Sequence, residues 1–317
     1  MKRRTLDPPR PAQRDSLDAD EFDALEGMAR SLTASGWYRV VRKFQPRERY
    51  AAEDGSDKRL ALYVDVETTG LDAARDRIIE VGAVLFEYRA GDGRIFAIRD
   101  SYSAFEDPER RIPAAVTRMT GITDQMVAGR RIDESTLESL VQQAALVIAH
   151  NAPFDRGFLE RRLSVFGSKP WACSREDVPW REHGCASSSL DYLLYRHCAE
   201  FYNAHRALDD CFAGVHALAT PLVNGSLPFA LLLASARRTM VRIWAVGSAF
   251  EVKDALRARG YRWNGGEDER PRSWYLETAA DRVDSESAWL REHAYPGRRE
   301  DIRVEEVSAI ERYARPR

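Results

Sequence analysis

The stretch Leu60–Gly70, LALYVDVETTG, decides the reading of this chain. Leu60-Ala61-Leu62-Tyr63-Val64 is a continuous apolar run, which reads as a buried strand. Asp65 and Glu67 end it. Residues two apart on a strand project from the same face, so both carboxylates flank one point at the edge of a core. Carboxylates are rarely buried without a partner, and a metal ion is the obvious one. Thr68-Thr69-Gly70 then turns the chain, and Gly70 lets backbone come close to a bound group.

Working outward, Ile78–Tyr88 and Arg94–Phe105 read as two further strands joined by short turns, as in antiparallel hairpins. Ile112–Met126 reads as helix interrupted at Gly121, Glu134–Ala145 as helix, Leu146–His150 as a short buried strand and Phe154–Phe166 as helix. Ser189–Ala199 and Ala207–Leu218 are also expected to be helical. This order predicts an α/β domain, a mixed sheet with helices against its faces.

Two more segments carry chemistry. Asp155 in AHNAPFD follows a predicted strand at the start of a helix, where a carboxylate reaches over the sheet edge. Asp155 alone would be an ordinary first-turn acid favoured by the helix dipole. In HRALDD, His205 precedes a helix bearing adjacent Asp209 and Asp210, either of which could face the first pair. Several carboxylates suit hard divalent cations such as Mg²⁺, which take oxygen ligands and keep waters. An imidazole titrating near neutrality can take a proton from water.

Together these segments resemble the DEDDh exonucleases, the family of the proofreading epsilon subunit of bacterial DNA polymerase III, with a ribonuclease H-like fold. The first motif is Asp65-Val66-Glu67-Thr68-Thr69-Gly70. The second is His150-Asn151-Ala152-Pro153-Phe154-Asp155, and the third is His205 with Asp210, which selects Asp210 over Asp209. Ile112-Pro113 and Thr120-Gly121-Ile122-Thr123 also look like the family. The resemblance implies a mixed five-stranded sheet flanked by helices and 3′-to-5′ hydrolysis releasing nucleoside monophosphates. It also implies two Mg²⁺ or Mn²⁺ ions on Asp65, Glu67, Asp155 and Asp210, with His205 as general base. Thr68, Thr69, Gly70, Leu71, Asn151 and Phe154 would meet the substrate, a single-stranded DNA or RNA 3′ end. An RNA-trimming enzyme of the ribonuclease T or oligoribonuclease type shares all five catalytic residues. A non-catalytic nucleic-acid-binding protein would not need all five filled. A replication or repair protein is the expected partner, with roles in proofreading, repair or processing.

The rest of the chain bounds these readings. Its 317 residues allow one large domain plus appendages, and a net charge of −2 gives no global attraction to nucleic acid. Only five cations are lysine (Lys2, Lys43, Lys58, Lys169, Lys253), the rest arginine. Cys173, Cys185, Cys198 and Cys211 lack metal-ligand spacing and read as reduced thiols of a cytoplasmic protein. MKRRTLDPPRPAQRD has no apolar stretch after its basic residues, so it does not read as a secretory signal. The longest apolar run, 227–236, is too short for a membrane span.

The expected organisation is an N-terminal extension over 1–58, with its first fifteen residues unstructured and a short helix and strand after them. The nuclease domain covers 59–222, a linker 223–240, a small α+β accessory domain 241–300 and a charged tail 301–317. The accessory segment interleaves Tyr261, Trp263, Trp274 and Tyr275 with nine basic residues between Arg237 and Arg272. Such a pattern grips single strands through phosphate contacts and stacking, or else fills the core of a tiny domain.

Overall fold

The computed structural model describes residues 19–266, 270–297 and 302–314. Residues 1–15, expected to be unstructured, lie outside the described residues, as do parts of the expected tail. Helix α1 (Ala19–Ala34) and the two-residue strand β1 (Arg42–Lys43) precede the main sheet. That sheet is built from β2 (Arg59–Thr68), β3 (Ile78–Tyr88), β4 (Ile95–Phe105), then β5 (Leu146–Ala149) and β6 (Trp171–Cys173). Its order is β4-β3-β2-β5-β6. The hairpins β2–β3 and β3–β4 are antiparallel, while β2–β5 and β5–β6 are parallel. This is the mixed five-stranded sheet of a ribonuclease H-like exonuclease fold.

Between β4 and β5 come α2 (Ala114–Thr120), α3 (Asp124–Val127) and α4 (Glu134–Gln143). Helix α5 (Ala152–Arg162) follows β5. Beyond β6 lie α6 (Leu190–Leu193), which continues as a π-helical turn, and β7 (Glu200–Phe201), paired with β1. Next are α7 (Ala207–Ala219) and α8 (Pro228–Ala236).

The alternation of β2 places its residues in two cores. Leu62, Val64 and Val66 pack with Leu137, Leu140 and Val141 of α4 and Phe158 and Leu159 of α5. Ala61 and Tyr63 pack on the other face with Cys211, Val215 and Leu218 of α7 and Phe229 and Leu232 of α8. Asp65 and Glu67 share the parity of Ala61 and Tyr63, so they face α7. Two glycines set how closely that helix lies. A Cβ on Gly214 would fall 2.1 Å from the Tyr63 ring, and one on Gly82 of β3 would fall 2.3 Å from the Ala207 carbonyl carbon.

The C-terminal module pairs β8 (Met240–Ala245), β9 (Arg262–Trp263), β10 (Trp274–Ala279) and β11 (Arg303–Val307) in the order β11-β8-β10-β9. Helices α9 (Lys253–Ala258) and α10 (Val283–His293) complete it, burying Leu256 and Leu290 against Val241, Ile243 and Ala245.

Two expected boundaries are corrected. The segment 223–240 is not merely a linker, because its apolar run forms α8 and buries Phe229 and Leu232 against the main sheet. The segment 301–317 is not merely a charged tail. Val304 and Glu306 pair with Ile243 and Val241 in β11–β8, and Arg312 is buried against Asp177 of the nuclease domain at 2.5 Å. Among the described residues, no helix is long and apolar enough to cross a membrane.

Candidate active site

The site forms where the parallel ladder ends. β2 is matched to β5 only as far as Tyr63↔Ile148, whereas its pairing with β3 continues to Thr68. Past Tyr63, one edge of β2 is therefore open. Asp155, in the first turn of α5, fills part of it: its Oδ1 accepts the Val66 amide at 3.2 Å. From the α7 face comes Asp210. Oxygens of Asp65, Glu67 and Asp210 lie within 4.8 Å of one another. Asp155 stands just outside that triple, close enough for its charge to act on both Asp65 and Asp210.

The acids crowd one another more than Arg206, the cation acting on Glu67, relieves. Burial, and then the neighbouring carboxylates Asp155, Asp210 and Glu67, push Asp65 well above the usual carboxylate range. Burial with Asp210 and Glu80 nearby lifts Glu67 to about 8. Burial lifts Asp155 to about 8 and Asp210 to about 6. Four carboxyl groups pushed up together in one pocket need either protons or metal charge. An all-oxygen donor set of this kind fits hard divalent cations.

Asp210 also builds the loop that carries His205. Its Oδ2 accepts the amides of His205 at 2.9 Å and Arg206 at 3.0 Å, as the acid in a capping box reaches back to the helix start. His205 adopts φ 71°, a left-handed conformation that costs a non-glycine residue energy and needs such support. Its half-exposed ring brings Nδ1 to 4.0 Å from Glu67 Oε1. The Tyr202 hydroxyl donates to the other Asp210 oxygen. Beside this loop, Arg206 pairs with buried Glu80 at 2.9 Å, and the Ala207 amide donates to the same carboxylate at 3.1 Å. Together with the flush contact at Gly82, this pins the start of α7.

The predicted catalytic residues Asp65, Glu67, His205 and Asp210 come together here, with Asp155 at the open edge. Asp209 lies outside the carboxylate triple. His150, part of the second motif, is structural: its ring nitrogens engage Ser174 Oγ at 2.9 Å and the Ser188 carbonyl at 2.8 Å, and burial pushes its pKa down to about 4.

The predicted substrate residues divide. Thr68 and Thr69 are buried, and their hydroxyls serve the loop itself. Thr68 Oγ1 donates to the Gly70 carbonyl at 2.5 Å, and Thr69 Oγ1 meets Asp76 Oδ1 at 3.1 Å. A Cβ on Gly70 would lie 2.5 Å from the Asp76 carboxylate, so a side chain there would displace that carboxylate. Leu71 stands 80% exposed on the rim. Asn151 is exposed and Phe154 half-buried, and both line a cleft beside α5.

Sequence reading missed Tyr202, Glu80, Asp76 and Arg110, which pairs with Asp76 at 2.6 Å. None of these has a spacing signal, since each acts through a contact between separate elements. Glu80 did carry one trace, an acid inside an otherwise apolar strand.

Fold and site define a ribonuclease H-like nuclease domain with an acidic, cation-demanding centre. Comparison with known proteins agrees. Residues 62–218 match the exonuclease family that includes ribonuclease T. DNA polymerase III subunit epsilon of Treponema pallidum is 38% identical over 156 residues, covering 46% of this chain and 68% of that protein. DNA polymerase III PolC-type of Clostridium perfringens is 32% identical over 166 residues, covering 51% of this chain but 11% of that protein. The chain thus spans about a tenth of the PolC-type polymerases it matches. Among solved structures, exonuclease X in complex with 5′ overhanging duplex DNA is similar at 24% identity. That match covers 55% of this chain and 90% of that one, with a TM-score of 0.37. The chain belongs to the DEDDh exonuclease family.

Proposed function

We propose that this protein is a metal-dependent 3′-to-5′ exodeoxyribonuclease that removes nucleoside 5′-monophosphates from single-stranded DNA 3′ ends. The observation that carries the reading is the triple Asp65, Glu67 and Asp210, whose oxygens lie within 4.8 Å of one another with the His205 ring beside them. Asp65, Glu67, Asp155 and Asp210 would hold two Mg²⁺ or Mn²⁺ ions. Bound there, the ions would activate water and offset charge on the departing oxygen. Water attacks the terminal phosphorus, the bond to the preceding 3′ oxygen breaks, and that oxygen leaves with a proton. His205 Nδ1 or Nε2 takes the proton from the attacking water, and its exposure lets it pass that proton to solvent.

The role proposed is in DNA repair, proofreading or processing within the cytoplasm, with a replication or repair protein as partner. The relatives' names support this reading. The test is a set of matched DNA and RNA oligonucleotides labelled at the 5′ end and incubated with Mg²⁺, Mn²⁺ or EDTA. A ladder shortening from the 3′ end, dependent on metal and faster on DNA, is expected. Absence of cleavage with every metal would end the enzymatic reading, and a preference for RNA would end the deoxyribonuclease one.

A further inference from the structure

A cleft of about 380 Å³ separates the nuclease domain from the C-terminal module. Asn151, Pro153 and Phe154 line one side, and Arg262, Trp263 and Tyr275 the other, with Tyr313 and Ala314 completing it. Its size falls within the ~300–1,000 Å³ of sites that take small molecules. The residue after Phe154 is Asp155, so this wall and that acid belong to the same helix, α5.

The module's side of the cleft differs from the rest of the module. Tyr261, Tyr275 and Trp244 are buried and serve its packing, but Trp263, on edge strand β9, is 51% exposed. Trp274 holds that indole edge-on across the β9–β10 pair, ring centres 5.6 Å apart. Exposed aromatics fixed in this way are platforms on which nucleobases stack. The arginines divide similarly. Arg242 is paired with Glu277 and Arg259 with Glu286, whereas Arg262 has no carboxylate partner among the described residues. Its guanidinium stays 5.9 Å from the Tyr275 ring, at the cleft.

The wall is also fixed in place. After β11 the chain returns to the nuclease domain, where Arg312 binds Asp177 at 2.5 Å and the Ser235 carbonyl at 3.2 Å. Arg156 of α5 donates to the Arg312 carbonyl, and Ser235 donates to Asp177 at 2.7 Å. Helix α5, which carries Asp155, is thereby joined to the segment that closes the module.

We infer that this cleft is a second nucleotide subsite, in which the single strand approaching the carboxylates lays a base on Trp263 and a phosphate against Arg262. The module is thus part of the substrate path. The inference rests on the exonuclease reading and extends its substrate to a strand rather than a lone terminal nucleotide.

The full-length chain tests it through Trp263→Ala, Arg262→Gln and Trp263→Phe, because deletion of the module would also strip Arg312 from Asp177. Binding of a fluorescein-labelled oligothymidylate is followed by anisotropy in EDTA. Hydrolysis of the small p-nitrophenyl ester of thymidine 5′-monophosphate is followed with Mn²⁺. Trp263→Ala is expected to weaken strand binding about tenfold, Trp263→Phe to restore most of it, and Arg262→Gln to flatten its salt dependence. Ester hydrolysis should stay at the wild-type rate in all three. Wild-type strand binding in both Trp263→Ala and Arg262→Gln would overturn the inference. Failure of the wild-type protein to cleave ester or strand would count against the exonuclease reading instead, since binding in EDTA requires no catalysis.

Discussion

Substituting Gly82→Ala separates the role of backbone packing from that of the catalytic groups themselves. The added Cβ would sit 2.3 Å from the Ala207 carbonyl carbon and 2.4 Å from its oxygen and from the Leu208 nitrogen. All three are backbone atoms, so no side-chain rotation relieves the clash. Reaching an ordinary contact of 3.4 Å requires the start of α7 to move by about 1 Å. That helix carries Asp210, which in turn fixes the His205 loop. Overpacking of this kind costs about 1–3 kcal/mol. At about 2–4 °C per kcal/mol for a domain of this size, Tm should fall by several degrees. A shift of about 1 Å in a catalytic group can lower turnover about 100-fold. The assay is single-turnover cleavage of a labelled oligonucleotide with Mn²⁺, beside thermal denaturation. Wild-type turnover and Tm in Gly82→Ala would refute the claim that contact between β3 and α7 sets the geometry of the site.

Three further outcomes are expected. Asp65→Ala or Asp155→Ala should abolish cleavage, while His205→Ala lowers turnover about 10²–10⁴-fold and leaves strand binding intact; gel assays and anisotropy on the same preparations check both. Without metal, the folded protein holds the protons of Asp210 up to about 6 and of Glu67 and Asp155 up to about 8, whereas an unfolded chain releases them near pH 4. Stability in EDTA should therefore decline as pH rises through that window, and Mn²⁺ should raise Tm more at its alkaline end; an EDTA melting curve unaffected by pH would contradict this. Arg312→Met leaves Asp177 buried without its cation and should cost about 3–5 kcal/mol, read as a lower urea midpoint and earlier proteolysis between nuclease domain and module.

Much of this architecture is legible in the residues. Leu60–Val64 announces the central strand because it is buried on both faces and so lacks polar alternation. The acids beyond it stand out against that apolar run. Other parts leave no such trace. Strand β6 is only Trp171–Cys173, too short to show a period, and it gains strand character from pairing with β5. Arg303–Val307 reads as charged tail because β11 lies at an edge, where exposed charge is common. Helix α10, with Asp284, Glu286 and Arg291 around Leu290, has only a narrow apolar stripe and so leaves little periodic signal. Tyr202, Asp76 and Arg312 act through contacts distant in sequence, which no local pattern encodes. The module's aromatics divide: Tyr261 and Tyr275 are interior, while Trp263 faces outward.

The order of strands in the module has a consequence for biosynthesis. β8 is matched on one side by β10, but its other neighbour, β11, is encoded almost sixty residues later. A nascent chain emerging from the ribosome therefore displays an open strand edge until those last residues appear, and such an edge invites pairing with a neighbouring chain. Ribosomes stalled ahead of Arg303 should yield an adhesive product whose catalytic half is already folded.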